Sequence, residues 1–78
     1  MPAVTIYTTP TCTYCHAAKE YFKKNNVAYT EKDVTQDLAA QQEMMQKSGQ
    51  LGVPVIDVGG QIVIGFNQPK LRELLQLS

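Results

Sequence analysis

The sequence predicts an α/β fold: one four-stranded mixed sheet with three helices on both faces, in the order βαβ, α, ββα. Three observations lead there. A β-branched, alternating run (Ala3-Val4-Thr5-Ile6-Tyr7) gives way past Pro10 to helix formers from Ala17 on, and a second strand-like run follows at Val27–Val34. Strand, helix, strand reads as a parallel pair with a right-handed crossover. Further on, Gly59-Gly60 separates two short apolar runs with a two-residue hairpin signal. Finally, both cysteines, Cys12 and Cys15, fall where the first strand gives way to the first helix.

Each element has its own justification. The first helix is expected from about Cys12 to Lys24, with Ala18, Tyr21 and Phe22 at helical spacing. Glu20 and Lys24 are suitably oriented for an i, i+4 pair. Lys19, Lys23 and Lys24 read as a solvated face, with Lys19 near enough to the cysteines to favour a thiolate. Asn25-Asn26 ends the helix, because Asn tolerates the left-handed conformation. The strand at Val27–Val34 places its charges on one face. Thr35 is the expected N-cap of a helix over Gln36–Lys47 whose thin apolar stripe is Leu38, Ala39 and Met45, with Met44 and Met45 as core filling. Ser48-Gly49 stops it, and Gln50-Leu51-Gly52 is a loop. Val53–Val58 is a strand entered through Pro54, and Gln61–Ile64 returns antiparallel. Asn67 then caps a last helix with Pro69 in its first turn and Leu71, Leu74 and Leu75 on one face.

Length and composition set bounds. Seventy-eight residues make one domain, 1–78, with a small core. Lys plus Arg balance Asp plus Glu, which argues against nucleic acid, since phosphate binding requires a basic face. No charged-then-apolar leader and no long apolar run is present, so the expectation is a cytoplasmic monomer without a membrane span. In that reducing compartment two close cysteines suggest redox cycling or metal rather than a structural staple.

The chemistry concentrates at Cys12-Thr13-Tyr14-Cys15. The first helical N–H groups have no partner within the helix, and the macrodipole adds roughly half a positive charge there. Both favour a thiolate: cysteines in such pairs ionise at roughly 3.5 to 7.5, against about 8.5 for a free thiol. Cys12, at the helix start, is the candidate nucleophile, and Cys15, one turn on, is placed to resolve a mixed disulfide formed on Cys12.

Ile6-Tyr7-Thr8-Thr9-Pro10-Thr11-Cys12-Thr13-Tyr14-Cys15, together with Gly52-Val53-Pro54, resembles the glutaredoxin motif of the thioredoxin superfamily. The stretch from Ser48-Gly49-Gln50 to Gly65-Phe66 looks like the small glutaredoxin-like redoxins, which include those that feed electrons to ribonucleotide reductase. The resemblance spans nearly the whole chain. It implies a thioredoxin (glutaredoxin-type) fold and a thiol–disulfide oxidoreductase that reduces protein or low-molecular-weight disulfides. No cofactor is implied as tightly bound, and glutathione enters as a co-substrate. The implied partners are a disulfide-bearing protein such as ribonucleotide reductase and a reducing partner, either a thioredoxin-reductase-like protein or glutathione. The resemblance further implies a cis bond between Val53 and Pro54 that turns the Val53 backbone outward to pair with an extended substrate. Tyr14 would pack beside the bound thiol, with Thr11, Thr13, Gly65, Phe66 and Asn67 completing the substrate-binding set.

Three departures from the family pattern bear on substrate. Thr13 stands where the motif usually carries Pro, which restores an N–H and should shift the redox potential. Thr9 stands where many glutaredoxins carry a Lys that meets a glutathione carboxylate. Gly65-Phe66-Asn67-Gln68 replaces a Gly-Gly-X-Asp stretch that binds the other end of glutathione, and it has no acid. Two polar clamps for glutathione are therefore weakened, although Asn67 opens a helix whose free N–H groups suit a carboxylate. Deglutathionylation is the alternative enzymatic reading.

Other readings of the cysteines fit less well. Cys12 to His16 also spells the c-type haem attachment motif, but that needs export, a distal ligand and a helical pocket. A structural zinc site needs four ligands where only Cys12, Cys15 and His16 are on offer, so no metal ligands are assigned. An iron–sulfur cluster bridging two subunits through the first cysteine and glutathione is the remaining metal alternative, and Thr13 in place of Pro removes one obstacle to it. His16 itself reads as a helix-surface residue able to touch the thiolate electrostatically.

Overall fold

A computed structural model describes residues 3–77, so Met1, Pro2 and Ser78, the ends of the expected domain, lie outside the described residues. The elements are β1 (Val4–Thr8), α1 (Thr13–Lys24), β2 (Thr30–Asp33), α2 (Leu38–Ser48), β3 (Val55–Val58), β4 (Gln61–Ile64) and α3 (Gln68–Leu75). The sheet order is β2-β1-β3-β4, with β1 parallel to β2 and the other pairs antiparallel. This is the mixed sheet and element order the sequence predicts.

Alternation along β1 sorts two cores. Val4 and Ile6 face α1 and α3, where they meet Ala18, Phe22, Ile56, Val63, Leu71 and Leu75. Tyr7 faces the other way and packs with Val34, Ala40, Met44 and Val55 beneath α2. Phe22 is fully buried at the centre of the first core. Phe22→Ala should cost about 3–5 kcal/mol, since truncation leaves a cavity the small core cannot close. Chemical denaturation reads this directly, and a loss below about 1 kcal/mol would contradict it.

Several expectations are corrected. Helix α2 is capped by Asp37, whose side chain accepts from the Ala40 N–H at 3.1 Å. Thr35 instead closes a turn on Asp33, donating its N–H at 2.9 Å and its hydroxyl at 2.6 Å. With that start, α2 turns Ala40 and Met44 onto the sheet, and Leu38, Ala39 and Met45 lie exposed. The strand at Val27–Val34 pairs only over Thr30–Asp33, because Val27 and Tyr29 are taken up by the core around Phe22. Its charges occupy both faces. Glu31 meets Lys19 of α1 at 2.9 Å, and Lys32 meets Glu43 of α2 at 3.0 Å. Lys19 is thus paired with Glu31 and largely covered, rather than standing on a solvated face with Lys23 and Lys24. Glu20 sits 3.8 Å from Lys23 rather than pairing with Lys24. The β3 strand begins at Val55, two residues after the expected start, because Val53-Pro54 precedes the ladder.

The α2 face carries a polar network. The Tyr7 hydroxyl donates to Glu43, and Lys47 reaches Asp57 at 2.7 Å. Hydrogen bonds from Tyr7 and Lys32 hold the Glu43 carboxyl below its ordinary value of 4.5. Lys19 and the Thr8 hydroxyl do the same for Glu31. Partial burial works against ionisation of Asp57, but Lys47 and the Gly60 N–H outweigh it and keep its carboxyl low. Carboxyls depressed in the folded state add stability above their unfolded values, and that stability is lost as pH falls through the folded ones. The denaturation midpoint should therefore drop between about pH 5 and pH 3, and Glu43→Gln should shallow that slope. An unchanged slope would contradict the network.

The Gly59-Gly60 turn has φ of +58° and +96°, a left-handed path that joins β3 and β4 without side-chain strain.

Candidate active site

The site grows from the end of β1. The chain leaves the sheet at Thr8, turns at Thr9-Pro10-Thr11, and enters α1 with Cys12 as its N-cap (φ −83°, ψ 110°). The Cys12 N–H donates to the Thr9 carbonyl at 3.3 Å, which closes the turn. In place of the usual Ser or Asp oxygen, the Cys12 Sγ accepts the N–H of Cys15 at 3.1 Å. The sulfur thus occupies the acceptor position at the positive end of a helix of twelve residues. Helix α1 has no acidic residue in its first turn to compete with it.

Cys12 and Cys15 are bonded as a disulfide, with Cα atoms 5.2 Å apart. Their exposure differs. Cys15 is fully buried, while Cys12 is half-buried. Only the Cys12 sulfur is open to an incoming group. His16 folds back so that its Nε2 lies 3.3 Å from the Pro10 carbonyl, a contact that braces the turn.

Across from α1, the Val53–Pro54 bond is cis, as the resemblance implied. No other backbone group of the described residues takes the Val53 N–H or C=O. The Pro54 carbonyl accepts the Gly65 N–H at 2.8 Å, which ties the end of β4 to the start of β3. A groove of about 640 Å³ results, lined by Tyr14, Val53, Pro54, Gly65, Phe66 and Asn67 from the expected set. Tyr14 is 68% exposed at its rim, positioned as a contact surface rather than as core. Thr11 and Thr13 are exposed and stand outside the lining. Ile64, Gln68 and Pro69 also line the groove and escaped the sequence reading. Alternation along Gln61–Ile64 was the available signal: Val63 faces the core, so Ile64 faces out.

The glutaredoxin family profile matches residues 4–63, which include the cysteine pair, the cis proline and most of the sheet. The chain belongs to the glutaredoxin family. It is 40% identical over 73 residues to a glutaredoxin-like 8.6 kDa protein from the rubredoxin operon of Clostridium pasteurianum, covering 94% of this chain and 97% of that one. The crystal structure of a variant of the thioredoxin-like protein BC3987 superposes with a TM-score of 0.93 at 36% identity, over the full length of both chains. The Escherichia coli glutaredoxin-like protein NrdH-redoxin superposes at 0.77 with 26% identity, over 97% of this chain and 95% of that one.

The fold is therefore the thioredoxin fold in its glutaredoxin form, and the Cys12–Cys15 pair is the family's Cys-X-X-Cys. This glutaredoxin-family chain is a thiol–disulfide oxidoreductase that passes electrons between thiol reductants and disulfide substrates. Among the described residues, no helix is long and apolar enough to cross a membrane, and no group of three or more His, Cys, Asp or Glu side chains is arranged to hold a metal ion.

Proposed function

We propose that Cys12 is the nucleophile and Cys15 the resolving thiol of a redoxin that prefers protein disulfides to glutathione. In the reduced chain the Cys12 thiolate attacks one sulfur of a substrate disulfide. A mixed disulfide forms and the other substrate sulfur leaves as a thiolate. Cys15 then loses its proton and attacks the Cys12 sulfur. The substrate leaves with both sulfurs reduced, and the chain ends as the Cys12–Cys15 disulfide. Two electrons and the Cys15 proton pass to substrate, solvent supplies the second proton, and an external dithiol or two thiols restore the pair.

The observation that carries this reading is the asymmetry between the sulfurs: Cys12 is accessible and accepts a helix N–H, whereas Cys15 is buried behind it. The free Val53 backbone and the Tyr14, Pro54, Gly65 and Phe66 surface suit an extended peptide added as a strand beside the sulfurs. The preference for protein rests on the groove's chemistry. No Lys, Arg, Asp or Glu lines it, so the carboxylates and ammonium of glutathione meet no countercharge there. Asn67 caps α3 with its own side chain, accepting the Lys70 N–H at 3.2 Å, so it already serves one of the N–H groups a carboxylate would use. The likeness to NrdH-redoxin, described as having a thioredoxin-like activity profile, favours a reductase protein as electron donor, and ribonucleotide reductase is the substrate that the family resemblance implies.

The test is a pair of coupled assays of disulfide reduction, one with thioredoxin reductase and one with glutathione and its reductase. The first should run at least about tenfold faster, equivalent to roughly 1.4 kcal/mol. Equal or reversed rates would return glutathione to the role of principal reductant and favour deglutathionylation.

A further inference from the structure

We infer that the groove between α1 and α3 is a docking site for an acidic segment of the protein whose disulfide is reduced, five or six residues from the reacting cysteine. The inference rests on the dithiol reading above and adds a specificity determinant to it.

The groove has a volume of about 910 Å³ and joins the active-site groove, since Phe66 and Gln68 line both. Phe66 forms the shared wall, its ring edge-on to Tyr21 of α1 with centroids 5.8 Å apart. A polypeptide leaving the sulfurs past Phe66 therefore enters this second groove without crossing a ridge of charge. Beyond that wall the chemistry changes from apolar to cationic. Lys23, Lys24 and Arg72 line it against one acid, Glu20.

Most of that charge is unspent. Lys24 and Arg72 have no ion-pair partner among the described residues. Lys23 is only loosely held by Glu20, at 3.8 Å between exposed side chains. On the sheet and α2 side, by contrast, Lys19, Lys32 and Lys47 are each paired to a carboxylate within 3.0 Å. The chain is neutral overall, yet three of the cations without a close carboxylate partner, Lys23, Lys24 and Arg72, gather along one groove leading from the active site, with Lys70 outside it. Complementarity there selects an acidic occupant and speeds its encounter.

Helix geometry sets the spacing. Lys24 lies twelve residues beyond Cys12, about 18 Å along α1. An extended substrate segment rises about 3.3 Å per residue, so it covers that span in five or six residues. Acidic residues adjacent to the substrate cysteine would fall in the uncharged groove and gain nothing.

The test uses the pre-reduced full-length chain in single-turnover reactions with fluorogenic peptide disulfides. One peptide carries an Asp-Glu pair five to six residues from its cysteine, and its isosteric control carries Asn-Gln. Both are made with the pair on either side of the cysteine. In one of the two orientations the acidic peptide should react about fivefold faster at low salt, an advantage lost at about 0.5 M salt, where screening is strong. K24E/R72E should abolish or invert the preference, while the Asn-Gln peptide and a small neutral disulfide keep their wild-type rates. Equal rates for acidic and neutral peptides in both orientations, or an advantage that survives either high salt or K24E/R72E, would overturn the docking site and leave the dithiol reading standing. Failure of reduced wild-type chain to react with either peptide would instead overturn the reading beneath it, and the docking site with it.

Discussion

Cys12→Ser should reduce turnover of every disulfide substrate to background, a loss of at least roughly a thousandfold in kcat/KM, or about 4 kcal/mol of transition-state stabilisation. The effect is expected to be this large because the whole reaction passes through one sulfur. Cys12 is half-buried but reachable, and it receives the Cys15 N–H at 3.1 Å. A serine hydroxyl can take over that capping bond, so the fold should be kept while the nucleophile is lost. Circular dichroism and the denaturation midpoint check the first half, and an insulin-type protein disulfide assay checks the second. Retention of more than about a tenth of wild-type turnover would place the nucleophile elsewhere.

Cys15→Ser should behave differently. Attack by Cys12 still occurs, but the buried thiol that would release the substrate is gone. Mixed disulfides with protein substrates should accumulate and be visible as a mass increment equal to the substrate. Turnover of protein disulfides without added thiol should fall by about a hundredfold or more. Added glutathione should restore part of it by resolving from solution, since Cys12 is the accessible sulfur. Full turnover on protein disulfides without any low-molecular-weight thiol would remove Cys15 from the resolving role.

Much of this was legible from the chain. Elements with strong local signals fell where expected: the break at Thr9–Cys12, the left-handed stop at Asn25-Asn26, the Gly59-Gly60 hairpin, and Asn67 with Pro69 at the last helix. Position alone set Cys12, at the helix start, apart from Cys15 one turn further on. Helix α2 was the element misread, and the cause is physical. Its sheet-facing stripe mixes Ala40 and Met44 with Glu43 and Lys47, because the Tyr7 hydroxyl and Asp57 lie beneath it. A stripe half apolar and half charged has no hydropathy signature, so Leu38 and Met45 attracted the assignment although they face out. Pairs such as Glu31 with Lys19 and Tyr7 with Glu43 join residues far apart in sequence, and only the packing of α1 and α2 on opposite faces of the sheet brings them together.

At the site, sequence pattern located the lining contributed by Tyr14, Val53, Pro54, Gly65, Phe66 and Asn67. It did not separate these from Thr11 and Thr13, which flank the cysteines yet stand outside the groove. Proximity in sequence to Cys12 says little about which way a turn presents its side chains. Nor did it reveal the cationic groove, whose walls come from α1, α3 and Phe66 ahead of α3, residues that only the fold brings together.

The most direct measurement is the pH dependence of alkylation of the reduced chain, with the labelled cysteine identified by peptide mass. Labelling confined to Cys12, with a midpoint well below neutrality and within the range of about 3.5 to 7.5 found for such pairs, is the expected result. A midpoint near about 8.5, or label appearing first on Cys15, would contradict a thiolate held at the start of α1.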